Sequence, residues 1–409
     1  MDVVERAAQP RRVSSPSHAA ISFAPPQHGR VDILVIAGEH SGDEQAARMV
    51  SALLERDPHL RVAAIGGRRL ETVGAQLLFD LTASSVVGLV EVVRHFAFFK
   101  RVFGETMRWI RVHRPRMICL VDYPGFNLRL ARALADGKLS MKAGGPIRVV
   151  YYISPQIWAW KARRRFAMQQ WLDSLAVIFP FEVKYFADTQ LAVNFVGHPF
   201  VSEGFVSPLA YTREGPVLLL AGSRRAAVSR IAPVLLEGFT AYLRQSPEAR
   251  AVMIHPNDAI RRLLEAELAR RPGLQGSVRL QANDAAVAAS AVLTSSGTMS
   301  LVCALAGIPG AIAYRANPLT YRMGRILVKI PYLGIANILL DQPMYPEFIQ
   351  HAATPAALAA ELVDCRENPE RVERTHRLAE DLRHLLTRPR ESDAAHWLAA
   401  ELEKVRPEE

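Results

Sequence analysis

Val31-Asp-Ile-Leu-Val-Ile-Ala37 is an apolar run of strand length, and Gly38-Glu-His-Ser-Gly-Asp43 leads from it into an amphipathic stretch reaching about Arg56. A buried strand followed by a glycine-bearing turn and a helix opens a parallel α/β unit. Ser41 with Glu44 three residues later has the pattern of a capping box and predicts the helix start. Apolar runs recur at 61–66, 117–121, 147–153, 174–179 and 192–196, mostly with helical stretches between them. A second series occupies 216–221, 251–255, 277–281, 291–294 and 310–314. The chain is therefore expected to be α/β, with two doubly wound, Rossmann-like domains facing a cleft. Its divisions are a disordered tail at 1–30, a first domain at 31–200, a linker at 201–214 and a second domain at 215–350. Residues 351–409 supply C-terminal helices that pack back on the domains.

The 409 residues, half of them hydrophobic and 22% charged, exclude global disorder. A net charge of +10 favours anionic partners. Cys119, Cys303 and Cys365 are far apart and form no CxxC, which excludes a disulfide framework and a sequence-evident zinc site. No HExxH or EF-hand pattern occurs, so no metal is expected. The absence of an apolar run of about 18 residues argues against a membrane span, and the reading is a soluble or peripheral cytoplasmic protein.

Several motifs fall at the ends of the predicted strands. Glu39, Ser41, Gly42 and Asp43 sit where backbone N–H groups could receive an anion, or where glycines merely make a tight turn. Asp122 follows the apolar run 117–121 at the carboxyl edge of a sheet, a position suited to a general base and equally to a helix N-cap. Asn127 serves as a cap or a substrate contact. Trp158 and Trp160 lie beside Lys161, Arg163, Arg164 and Arg165, and would suit base stacking, a lipid interface or an ordinary amphipathic helix start. No second basic-aromatic module exists, so nucleic acid is not expected as a partner. Gly222-Ser223-Arg224 and Ser295-Ser296-Gly297-Thr298 each follow a strand and open a helix; together they could bracket a pyrophosphate, or be two ordinary capped turns. His198 in Gly-His-Pro reads more readily as a turn histidine than as a base. Phe98, Phe99 and Phe103 beside Lys100 and Arg101, with Val90 and Val92 before them, suit either an anionic lipid surface or a buried helix face.

Taken together, AGEHSGD (37–43), VGLVEV (87–92), VDYPGFNLRLA (121–131), ISPQIWAWKARR (153–164), FPFE (179–182) and FVGHP (195–199) resemble the lipid-A-disaccharide synthase family. GSRR (222–225), SSGT (295–298), AYRANPLTY (313–321) and the stretch from Asn337 to Gln350 continue the resemblance, which covers about 31–390 in the family's order. It implies a GT-B glycosyltransferase acting without metal or cofactor. The implied donor is UDP-2,3-diacylglucosamine and the implied acceptor 2,3-diacylglucosamine 1-phosphate (lipid X). The product would be the β-1,6 disaccharide 1-phosphate with release of UDP, by one inverting displacement.

In that scheme Asp122 matches the family's proposed base. Gly222, Ser223, Arg224, Ser296, Gly297, Thr298, Asn337 and Gln350 form the donor site. Glu39, Ser41, Gly42, Asp43, Asn127, Trp158 and His198 line the acceptor side. The implied location is the inner face of the inner membrane, with Val90, Val92, Phe98, Phe99 and Phe103 toward anionic lipid; homodimerisation is left open. The chain departs from the family's pattern at Ala227 and Val302, where glutamates belong, and at Gly125. Related GT-B enzymes hold the donor ribose with the glutamate at the Val302 position, so Val302→Glu is expected to tighten donor binding. The alternatives are a GT-B relative using another donor or acceptor, and an inactive paralogue that binds acylated sugars.

Overall fold

The computed structural model describes residues 21–84, 92–159, 161–283, 285–317 and 331–405. The chain packs as two compact units, Met1–Ile147 and Arg148–Glu409.

The first unit alternates strand and helix: β1 (Ile33–Ala37), α1 (His40–Arg56), β2 (Val62–Gly66), α2 (Arg68–Thr72), β3 (Gln76–Asp80), α3 (Val92–His113), β4 (Met117–Val121) and α4 (Pro124–Asp136). Its strands are parallel in the order β3-β2-β1-β4. β1, β2 and β4 are buried along their whole length, which is why each reads as an uninterrupted apolar run. Because β1 has β2 on one side and β4 on the other, the chain reverses its winding between β1 and β4. Loops that diverge at such a point leave a crevice at the carboxyl ends of the strands.

Residues 21–30 correct the expectation of a tail running to residue 30. Phe23 is buried against Phe79, and its N–H donates to Glu105 at 2.8 Å. The Ala24 carbonyl accepts from Trp109 Nε1, and Gln76 bonds to Pro25 and Gln27. One aromatic anchor and four hydrogen bonds hold a segment whose composition alone suggests disorder. Residues 1–20 lie outside the described residues.

The second unit opens with parallel neighbours β5 (Arg148–Tyr152), β6 (Ser174–Val177) and β7 (Ala192–Phe195), with α5 (Arg164–Trp171) between β5 and β6. β8 (Leu209–Tyr211) lies within the predicted linker 201–214. Then follow β9 (Val217–Leu220), α6 (Arg225–Leu243), β10 (Ala251–His255), α7 (Asp258–Ala269), β11 (Val278–Ala282), β12 (Val287–Ala289), β13 (Ala291–Thr294), α8 (Thr298–Leu305) and β14 (Gly310–Tyr314). The chain ends with α9 (Ile335–Leu340), β15 (Glu347–Ile349), α10 (Pro355–Glu367), α11 (Pro369–Leu386) and α12 (Ala394–Glu403). β8 pairs with β12, and six strands form a parallel sheet in the order β11-β10-β9-β13-β14-β15. Its winding reverses between β9 and β13. One apolar cluster joins β9 and β10 to α6, α7 and α10, and another joins the opposite face to α8 and α11.

The division by packing falls earlier in the chain than the linker read from the sequence, and α12 supplies a reason. Trp397 donates to Ser174 Oγ at 3.0 Å and faces the Tyr152 ring, while Arg148 pairs with Glu401. The last helix thus ties β5 and β6 to the C-terminal half.

Candidate functional site

At the reversal between β1 and β4, the residue after β4 is Asp122. Asp122 and Tyr123 both have left-handed backbone, with φ of 46° and 48°. Two consecutive non-glycine residues in that region cost about 1–3 kcal/mol each, so surrounding contacts must hold the turn. Asn127, fully buried, donates through Nδ2 to the carbonyls of Asp122 at 2.8 Å, Val121 at 3.1 Å and Ile36 at 3.3 Å. Tyr123 lies across Gly38, where a Cβ would fall 2.1 Å from its ring, so only glycine fits there. Burial, and then the nearby Glu39 carboxylate, raise the Tyr123 phenol above its usual range. On its other side Asp122 Cβ lies beside the first turn of α1, 3.9 Å from where a Cβ on Gly42 would stand. The helix therefore presents its N-terminal N–H groups close to the Asp122 turn.

The predicted capping box does not form. Helix α1 begins at His40 with Glu39 at the N-cap and no side-chain cap bond, so Ser41 falls inside the first turn and is exposed. Glu44 pairs instead with Arg48. Asp43 is also displaced from its expected role. It is buried and accepts from Gly67 N at 2.7 Å and Arg69 N at 3.2 Å, so it caps α2 rather than facing an anion. Of the four turn residues, Glu39 and Gly42 are the ones placed beside Tyr123 and Asp122.

In the second unit, the reversal between β9 and β13 brings the two expected donor loops together. Ser295 N donates to Leu220 O at 2.9 Å. A Cβ on Gly222, whose φ is +102°, would lie 3.4 Å from Ser295 Oγ, and one on Gly297 3.7 Å from it. The loops open α6 and α8, whose N-caps are Arg224 and Gly297, neither with a side-chain cap bond. Ser223, Arg224, Gly297 and Thr298 are exposed and Ser296 half-buried. Two adjacent helix N-termini, hydroxyls and an exposed guanidinium form an anion-receiving edge.

Asn337 and Gln350 do not present their amides to that edge. Asn337 is fully buried; its Nδ2 donates to Tyr345 O and Glu347 Oε1, and its Oδ1 accepts from Tyr345 N. Glu347 also accepts from Leu333 and Gly334 N–H. Gln350, left-handed at φ 56°, clasps the backbone of Ala316 with both ends of its amide. Asn337 is held by Tyr345 and Glu347 and Gln350 by the Ala316 backbone, so in this structure both amides hold the segments around β15, in place of the direct donor contact expected of them.

His198 is a turn residue rather than part of an acceptor surface. It is buried between Phe179 and Phe200, its Nδ1 accepts from Phe200 N at 3.1 Å, and burial drives its pKa down to about 3. Neutral, with its Nδ1 lone pair occupied by Phe200 N–H, the ring keeps its one proton on Nε2 and has no free lone pair with which to act as a base. Trp158 is half-buried, edge-on to Phe181 at 5.3 Å; Trp160 lies outside the described residues.

Phe98, Phe99 and Phe103 are half-buried in the first unit, their rings meeting Phe79, Tyr123 and Phe126. Val90 is outside the described residues, as is the Val92 side chain. Val302 is 2% exposed within the apolar cluster on the α8 face, while Ala227 packs half-buried against the other cluster.

Tyr123 and Glu182 are not among the site residues expected from the sequence. Glu182 is buried, accepts from Phe179 N at 3.2 Å, and is pushed up to about 8 by burial. The signals were there: Tyr123 adjoins Asp122, and Glu182 ends FPFE. Among the described residues no group of three or more His, Cys, Asp or Glu is placed to hold a metal, and no helix is long and apolar enough to cross a membrane.

A family model described as lipid-A-disaccharide synthetase matches residues 33–402. Lipid-A-disaccharide synthase 1 of Legionella pneumophila is 34% identical over 83% of this chain and 89% of its own. The synthase of Trichlorobacter lovleyi is 36% identical over 81% and 86%. Among solved structures, a putative UDP-N-acetylglucosamine 2-epimerase from Listeria monocytogenes superposes with a TM-score of 0.60 at 14% identity, over 93% of this chain and 99% of its own. The glycosyltransferase of kitacinnamycin gives 0.58 at 15%, over 92% and 100%. The fold is thus the two-domain α/β architecture of GT-B glycosyltransferases. The chain belongs to the lipid-A-disaccharide synthase family, glycosyltransferases of lipid A biosynthesis.

Proposed function

We propose that the protein transfers 2,3-diacylglucosamine from UDP to the 6-hydroxyl of 2,3-diacylglucosamine 1-phosphate, with inversion, giving the β-1,6 disaccharide 1-phosphate and UDP. The observation that carries this reading is the placement of Asp122. It is a carboxylate on a strained turn at a winding reversal, beside the N-terminus of α1. Roles divide by unit. In the first, Asp122 takes the proton from the acceptor hydroxyl as the oxygen attacks the anomeric carbon. In the second, Arg224 and the N-termini of α6 and α8 receive the negative charge that grows on the departing UDP. These fixed donors supply the leaving-group stabilisation without a metal. The net charge of +10 favours approach to an anionic inner-membrane face, with the segment holding Phe98, Phe99 and Phe103 nearest the lipid.

Asp122→Asn tests the assignment. Turnover should fall by about 10²–10⁴-fold, the usual contribution of a positioned base, with UDP affinity unchanged. Retention of full activity would remove Asp122 from the chemistry.

A further inference from the structure

Asn127 is fully buried one turn into α4, and its side chain does not point to solvent. Its Nδ2 gives all its hydrogen bonds to three carbonyls: those of Val121 and Asp122 on either side of the peptide that starts the strained turn, and that of Ile36 near the end of neighbouring β1. Its backbone N–H meanwhile donates to Tyr123 O at 3.1 Å. One residue therefore fixes both left-handed residues and ties them to the adjacent strand. The other end of the amide, Oδ1, is buried with no partner.

We infer that Asn127 is a positioning residue for catalysis: it holds the Asp122 turn in its left-handed form and so aims the carboxylate, without touching substrate. This differs from the cap or acceptor contact that the sequence suggests, and it rests on Asp122 being the base. Without the amide, the strained turn relaxes toward ordinary backbone and the carboxylate moves off line. Misplacement of a reacting group by about 1 Å typically costs on the order of 10²-fold in rate.

A double-mutant cycle on the full-length protein separates this from a structural role. Asn127→Ala should lower kcat about 10²-fold, with acceptor KM within about three-fold of wild type and UDP affinity, read by calorimetry, unchanged. Introduced into Asp122→Asn, the same substitution should change the residual rate by less than about two-fold, because the group it aims is already gone. Asn127→Ser, which keeps one donor in the turn, should fall between wild type and Asn127→Ala, and it runs the same cycle if the alanine variant does not fold. Equal fold-losses in both backgrounds would overturn the inference, as would a raised acceptor KM with kcat intact. Full activity of Asp122→Asn alone would instead remove the base reading on which the inference rests, and that single variant reports it independently of the cycle.

Discussion

Glu182→Gln should make the protein more stable at neutral pH while leaving it nearly unchanged in acid. Glu182 is 2% exposed and its carboxyl is raised to about 8 from the usual 4.5, first by burial and against the opposing effect of the Phe179 N–H. Between those two values the folded chain keeps a proton that the unfolded chain has released. Stability therefore falls as pH rises through the window, and the penalty is complete above about 8. At about 1.36 kcal/mol per pH unit the penalty reaches about 3 kcal/mol near pH 7 and about 5 kcal/mol at its limit. Glutamine has the same shape, can still accept from Phe179 N and never ionises. Thermal melts of both proteins from about pH 4.5 to 8.5 would read the difference. At about 2–4 °C per kcal/mol for a domain this large, the variant's Tm advantage should grow from near zero to about 6–12 °C at pH 7. A difference that stays constant with pH, or a variant less stable at pH 8, would refute the reasoning.

Three further outcomes follow from burial and charge. Replacing Phe98, Phe99 and Phe103 with serine should lower Tm clearly, by circular dichroism, because these rings pack on Phe79, Tyr123 and Phe126; an unchanged Tm with weakened vesicle binding would show that they serve lipid alone. Val302→Glu, which the family pattern would favour, should cost about 3 kcal/mol or more at pH 7, because it buries a carboxylate in an apolar cluster. A tighter donor KM at unchanged Tm would show that the side chain turns to the ligand. Arg224→Ala should weaken UDP binding, by calorimetry, about ten-fold or more, since a charge-assisted bond contributes about 1.5–3 kcal/mol; unchanged affinity would take Arg224 out of the donor site.

The strands that position the candidate site were legible because they are buried on both faces. β1, β4, β9 and β13 read as apolar runs with glycine or a polar residue within two positions of their ends. β3 and β15, like β8 and β12, fall outside the expected runs; β3 and β15 are largely half-buried, with Gln76 and Asp80 at the ends of one and Glu347 opening the other. Spacing could locate Asp122 at a sheet edge, but not the left-handed backbone that presents it, because the contacts around that turn come from an amide five residues away and from a glycine in the turn after β1. Asp43, His198, Asn337 and Gln350 show the converse. Each is a polar residue in a family motif whose side chain is hydrogen-bonded within the fold itself. A motif indicates that a residue type matters at a position; only its partners show whether it serves ligand or backbone.

The central claim is most directly tested by incubating the purified protein with UDP-2,3-diacylglucosamine and 2,3-diacylglucosamine 1-phosphate in excess EDTA and identifying the products. The expected products are UDP and a tetraacyl disaccharide 1-phosphate whose new 1,6 linkage is β by its anomeric NMR coupling, with product formation falling about 10²–10⁴-fold in Asp122→Asn. An α linkage, a requirement for added Mg²⁺, or UDP binding with no disaccharide formed would contradict it.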